Sequence, residues 1–278
     1  MGSKLAVLCA LLALAASATA LASAPTTTIN VYAGAVGATF IYRHNAANQV
    51  EPFSSLRLTI RRAGKTAYSA PVTNPTCGRF CSPTLPNPVS LKDLEGDGRT
   101  EVLLNLYSGG AHCCYLSEVF SYSAARGRYQ TVLHDWGDPG FRLAKLDDSR
   151  PYEWLTADDS FAYEFAAFAF SGLPLQILRL VSGHFVDLTR HYPALITRDA
   201  ATQWKNYLEN RGGGTGLGFL AAWAADEYNL GRERRVTSTL ASLDQSHELR
   251  GIDPATWPTG AKFVVSLESF LAKSGYAG

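Results

Sequence analysis

Apolar and polar residues alternate along most of the chain as far as residue 195, and beyond it the spacing lengthens to that of helices. Segments 27–33, 38–43 and 56–62 read as strands, as do 101–107, 115–122 and 129–135. Segments 141–146, 153–157, 174–181 and 184–189 continue the pattern. The run FAYEFAAFAF (161–170) mixes Ala and Phe, and its place among strands favours a further strand. SEVFSYSAARGRYQTVL and PLQILRLVSGHFVDLT share one layout, in which Gly127 matches Gly183 and Tyr129 matches Phe185. This predicts two β-meander units, 85–140 and 141–190, with 26–75 as a more diverged third. Asp199 to Asn210, Leu217 to Leu230, Arg232 to Leu243 and Ala261 to Lys273 carry helical spacing, and Gly212 to Gly218 reads as a turn between helices. Strands followed by helices predict an α+β fold, with a β-rich region over 25–195 and a helical region over 196–278.

The N-terminus narrows the compartment. Lys4 precedes an apolar run from Leu5 to Ala16, and Ala18-Thr19-Ala20 forms a small-residue cleavage motif. This order predicts a secretory signal peptide over 1–20, with no membrane span in the remainder. With Lys4 removed, basic and acidic residues are equal in number, which argues against a nucleic-acid partner. Hydrophobic residues make up 46% of the chain, enough for a packed core.

The sharpest motif is Asp93-Leu94-Glu95-Gly96-Asp97-Gly98-Arg99-Thr100-Glu101. Calcium takes about six to eight oxygen ligands, and alternate positions of a tight loop direct oxygens inward. Asp93, Glu95, Asp97, the Arg99 carbonyl and Glu101 are the candidate ligands of one structural Ca2+, and Gly98 supplies the turn. The competing reading is a solvated β-hairpin at Asp97-Gly98. Lys145, Asp147, Ser149 and Glu153 hold the matching positions of the second unit, where Lys145 replaces the first ligand, so that copy is expected to have lost the ion.

The loop and the strand after it resemble the FG-GAP or VCBS type of repeat, the blade of integrin-like β-propellers, over residues 85–190. The resemblance implies a calcium-binding blade and a role in recognising a protein or a cell-envelope ligand. At most three units fit the β-rich stretch, so a closed seven-bladed propeller is excluded. The segments 108–114, 158–174 and 183–193 also look like uncharacterised secreted bacterial proteins, and the excess of Arg over Lys suits a GC-rich, actinobacterial genome.

Export makes disulfides the default for Cys77, Cys81, Cys113 and Cys114. Adjacent strand residues point to opposite faces, which favours Cys113 and Cys114 each pairing with one of Cys77 and Cys81. Local Cys77–Cys81 and Cys113–Cys114 bridges, and a zinc site with His112, are the alternatives. The chain carries no established catalytic motif. The leading expectation is therefore a secreted, non-enzymatic binding module. A secreted hydrolase with a site near His112 and Asp158 or Asp159 is the alternative, and His134-Asp135 is a weaker candidate pair.

Overall fold

A computed structural model describes residues 24–147 and 151–277. The signal-peptide expectation for 1–20 and the position of Ser149 lie outside the described residues. The first sheet is a meander of β1 (Thr26–Ala33), β2 (Val36–His44), β3 (Phe53–Arg62) and β4 (Lys65–Pro71). The middle sheet holds β5 (Ser82–Pro83), β6 (Val89–Lys92), β7 (Glu101–Tyr107), β8 (Tyr115–Ser123) and β9 (Arg128–Asp135), with β5 and β6 sharing one edge of β7. The third sheet is β10 (Arg142–Ala144), β11 (Glu153–Ala157), β12 (Leu175–Val181) and β13 (His184–Asp187). Every pairing is antiparallel.

The sheets stack face to face, and the period-two alternation of the strands explains how. In β7, Val102, Leu104 and Leu106 join Phe40, Leu58 and Ile60 of the first sheet in one core. Leu103 points the other way and joins Val119, Trp136, Trp154 and Leu180 in a second core against the third sheet. The middle sheet is thus buried on both faces, which is why β7 reads as an almost unbroken apolar run.

The helical region follows as α1 (Pro193–Asn210), α2 (Leu217–Asn229), α3 (Glu233–Gln245) and α4 (Gly260–Lys273). Helix α1 starts earlier than its apolar spacing suggests, because Pro193 opens it, where a missing N–H costs nothing. Helix α2 is buried on nearly all sides and is the centre of the region. Val236, Leu240 and Leu243 of α3 and Phe263, Leu267 and Leu271 of α4 pack their single apolar stripes around it. Among the described residues, no helix is long and apolar enough to cross a membrane.

The expected strand over 161–170 is not formed. Two 3₁₀ turns, Asp159–Phe161 and Phe168–Phe170, replace it. Asp158 caps the first by accepting from Ser160 N at 3.0 Å, and Ser171 Oγ accepts from Tyr163 N at 3.0 Å. These side-chain bonds take the backbone groups that a sheet ladder would have used. Phe161 and Phe165, four apart, then face Phe263 and Phe270 and join the helical core. Gly218 sits inside α2 rather than in the preceding turn. A Cβ there would lie 2.3 Å from the Phe170 carbonyl oxygen, so the glycine lets the helix dock on this segment.

Candidate functional site

The acidic loop connects β6 to β7. Glu101 opens a strand buried on both faces, so its side chain is carried beneath the loop and is 1% exposed. Its Oε2 accepts from Leu94 N at 2.8 Å. Burial pushes its carboxyl from the ordinary 4.5 up to about 7, and the neighbouring Asp97 and Glu95 carboxylates add to the rise against the Leu94 N–H. Asp93 accepts from Gly98 N through Oδ2 at 3.0 Å, while its Oδ1 is buried and meets no donor. Asp97 pairs with Arg99, whose Nε lies 2.7 Å from Oδ2; partial burial opposes the effect, but the guanidinium holds this carboxyl below its usual range. Glu95 reaches away from the loop and accepts from Gly183 N at 2.8 Å, tying it to the β12–β13 turn. Among the described residues, no three His, Cys, Asp or Glu side chains converge as a group able to hold a metal ion.

The same contact recurs one sheet later. Glu153 opens β11, is 0% exposed, and accepts from Leu146 N through Oε2 at 3.0 Å. Its strand partner is Arg179, which donates from Nε to Glu153 Oε1 at 2.9 Å and reaches Asp147 at 3.3 Å. A guanidinium is therefore the built-in cation of this copy. In the first copy the β7–β8 register, carried one residue past Val102 and Phe120, puts Ser121 opposite Glu101. Ser121 Oγ is buried without a partner. A cavity of about 360 Å³ lies beside it, lined in part by Glu95, Arg99, Ser121, Thr131 and Gly183. A buried carboxyl with an arginine in one copy thus faces an orphaned hydroxyl and a void in the other. Arg179 and Ser121 escaped sequence reasoning because only the strand register places them opposite the two glutamates.

The cysteines correct an expectation. Cys77 pairs with Cys81 and Cys113 with Cys114, with Cα separations of 5.2 and 3.1 Å. The favoured long cross-links are absent because each pair closes within its own small loop. Asn74 and Gly78 bond each other's backbones at 3.1 and 2.6 Å beside the first pair. Cys114 N donates to Ser108 Oγ at 2.7 Å beside the second, folding 108–114 back on itself.

The hydrolase candidates are dispersed among separate partners. The His112 ring lies 4.0 Å from that of Phe168 and edge-on to Tyr163. Asp158 accepts from the Tyr276 hydroxyl at 2.9 Å, and Asp159 accepts from Asp138 N at 3.3 Å. Among the described residues, no hydrogen bond or ion pair joins His112 to either aspartate. The His134 ring lies tilted against those of Trp136 and Phe185, at 4.0 and 4.5 Å between centres, and burial lowers its pKa to about 4, so it is neutral near neutral pH.

Glu118, Asp226 and Glu227 are buried acidic groups outside every expectation, and Asp226 is the most enclosed of them. Asp226 of α2 is 0% exposed, and neither of its oxygens meets an N–H or hydroxyl donor. Burial, then the Asp199 carboxylate beside it, raise its pKa to about 10. Asp199 accepts from Leu175 N at 3.1 Å, which fastens α1 to β12. The legible sign was an Asp-Glu pair inside the apolar run LAAWAADEY.

No family model matches the chain. An uncharacterised protein, y4bJ, of Sinorhizobium fredii is 27% identical over 198 residues, covering 64% of this chain and 30% of the relative. A probable thylakoid lumen protein, sll0997, of Synechocystis is 26% identical over 231 residues, covering 69% of this chain and 62% of the relative. The chain thus spans less than two thirds of either relative. No solved structure matches.

Proposed function

We propose that the chain is a non-catalytic binding module, exported across a membrane, whose loop 93–101 takes one structural calcium ion. The observation that carries the reading is the contrast between Glu153 with Arg179 and Glu101 with Ser121. An ionised carboxylate buried without a counter-charge is costly, and one copy meets that cost with a guanidinium. A cation is the equivalent solution for the other. Asp93, Glu95, Asp97, the Arg99 carbonyl and Glu101 would hold it, with Asp97 exchanging Arg99 for the ion. Its role is to fix the loop against the β12–β13 turn that Glu95 already touches.

Export is supported by the signal-like N-terminus, the two local disulfides and a relative whose name places it in the thylakoid lumen. The successive face-to-face sheets support the likeness to propeller blades, in an open stack of three. The dispersal of His112, Asp158 and Asp159 favours recognition over hydrolysis. Isothermal calorimetry of the calcium-free protein tests the ion: one site in the 0.1–1 mM range supports the assignment. No heat, or unchanged affinity in Glu101→Gln, removes it.

A further inference from the structure

A groove of about 860 Å³ lies between β1, β6 and β10, one strand from each of the three sheets. All four residues of β6, Val89 to Lys92, line it, together with Tyr32 of β1 and Leu143 of β10. Side chains of a strand alternate between faces, so a groove touched by four consecutive residues runs along the edge of the strand, where the backbone is open. β6 pairs on one side only, with β7. Among the described residues, no backbone hydrogen bond leaves its other edge, nor the outer edge of β1. Such edges pair readily with another chain unless they are blocked; this one carries neither proline nor bulge, and its one charge, Lys92, stands at its end.

We propose that this groove binds an extended peptide segment of a partner protein, which adds as a strand along β6. The inference rests on the reading of the chain as a binding module and names the partner's chemistry. Pairing along the four residues of β6 gives a contact of about 13 Å. Alternate side chains of the peptide then fall on two flanks. One is formed by Val31 and the Tyr32 ring, which is 77% exposed. The other is formed by Phe141 and Leu143. Lys92 and Asp138 are the charged side chains lining the groove, one of each sign, and the Lys92 ammonium already lies 5.5 Å from the Tyr152 ring centre. The groove therefore suits a largely uncharged peptide with apolar residues in both alternating sets. The backbone supplies affinity and the flanks supply selectivity.

The test selects a random octapeptide display library on the purified chain, in EDTA and in millimolar calcium. The best peptide is then remade with N-methyl groups on either set of alternate residues. Expected are enrichment of uncharged, apolar peptides, amide NMR shifts at 89–92, and a loss of about tenfold or more from one N-methyl set only. Tyr32→Ala, at an exposed site that leaves the core intact, should weaken binding by about threefold or more. Failure to enrich any peptide overturns the proposal. So do equal tolerance of both N-methyl sets, shifts confined to other residues, and self-association that the peptide does not dissociate. Mass spectrometry of the bound peptide separates the two readings. Cleavage would overturn the non-catalytic module while leaving the groove a peptide site, whereas intact peptide bound by a protein that takes up no calcium in calorimetry would overturn only the ion.

Discussion

Replacing Glu101 by Gln removes one buried charge and keeps an oxygen for the Leu94 N–H. The carboxyl titrates at about 7 in the fold against 4.5 when free. A raised carboxyl pKa means that the folded state holds the proton more tightly than the unfolded chain does. The stability this provides is complete below pH 4.5 and is lost as pH rises to about 7. Over that window the ionised side chain costs about 3 kcal/mol, or ~6–12 °C in melting temperature. In EDTA, Glu101→Gln should therefore match the parent near pH 4 and exceed it by about that amount at pH 8. In calcium the parent should recover and the variant should not, so their difference at pH 8 shrinks. Urea unfolding followed by tryptophan fluorescence gives both curves. Taking the difference between variant and parent cancels every other titrating group, Asp226 included. Parallel curves from pH 4 to 8 would show that the Glu101 carboxyl is not forced to ionise beneath the loop, and the reasoning would fail.

Arg179→Ser leaves Glu153 buried without its guanidinium and should cost about 3–5 kcal/mol at pH 7, measured by urea unfolding. The raised pKa of Asp226 gives stability that is greatest below 3.8 and drains as pH rises toward about 10, so Asp226→Asn should flatten the alkaline limb of a pH–melting profile. A Gly218→Ala variant meets the Phe170 carbonyl oxygen and should lose about 1–3 kcal/mol in thermal melts, with the calcium response unchanged.

Much of the scaffold was legible because alternation records burial directly. The pattern in β2 puts Val36, Ala38, Phe40 and Tyr42 on one face, and those residues form the core. Strand β4 was not legible, since KTAYSAP has few β-branched or large apolar residues; the Ala63-Gly64 turn, with φ of 48° and 77°, folds it onto β3. Segment 161–170 misled because its phenylalanines also satisfy a four-residue spacing, and Asp158 and Ser171 settle the backbone locally. The acidic loop stood out by composition alone. Its most informative feature did not, because Ser121 against Arg179 is a property of strand register between distant segments. The cysteine pairing escaped for the opposite reason: a rule for strands was applied to residues that the structure places in a loop ahead of β8.

The most direct measurement is the thermal unfolding of the oxidised protein in EDTA and in 1 mM calcium, alongside Asp97→Asn. For a site of about 0.1 mM affinity the ion adds ~1.4 kcal/mol, a reversible rise of about 3–6 °C, and Asp97→Asn abolishes it. A parent protein whose melting temperature is unmoved at every calcium concentration would contradict the account, leaving loop 93–101 a hydrogen-bonded turn closed by Arg99.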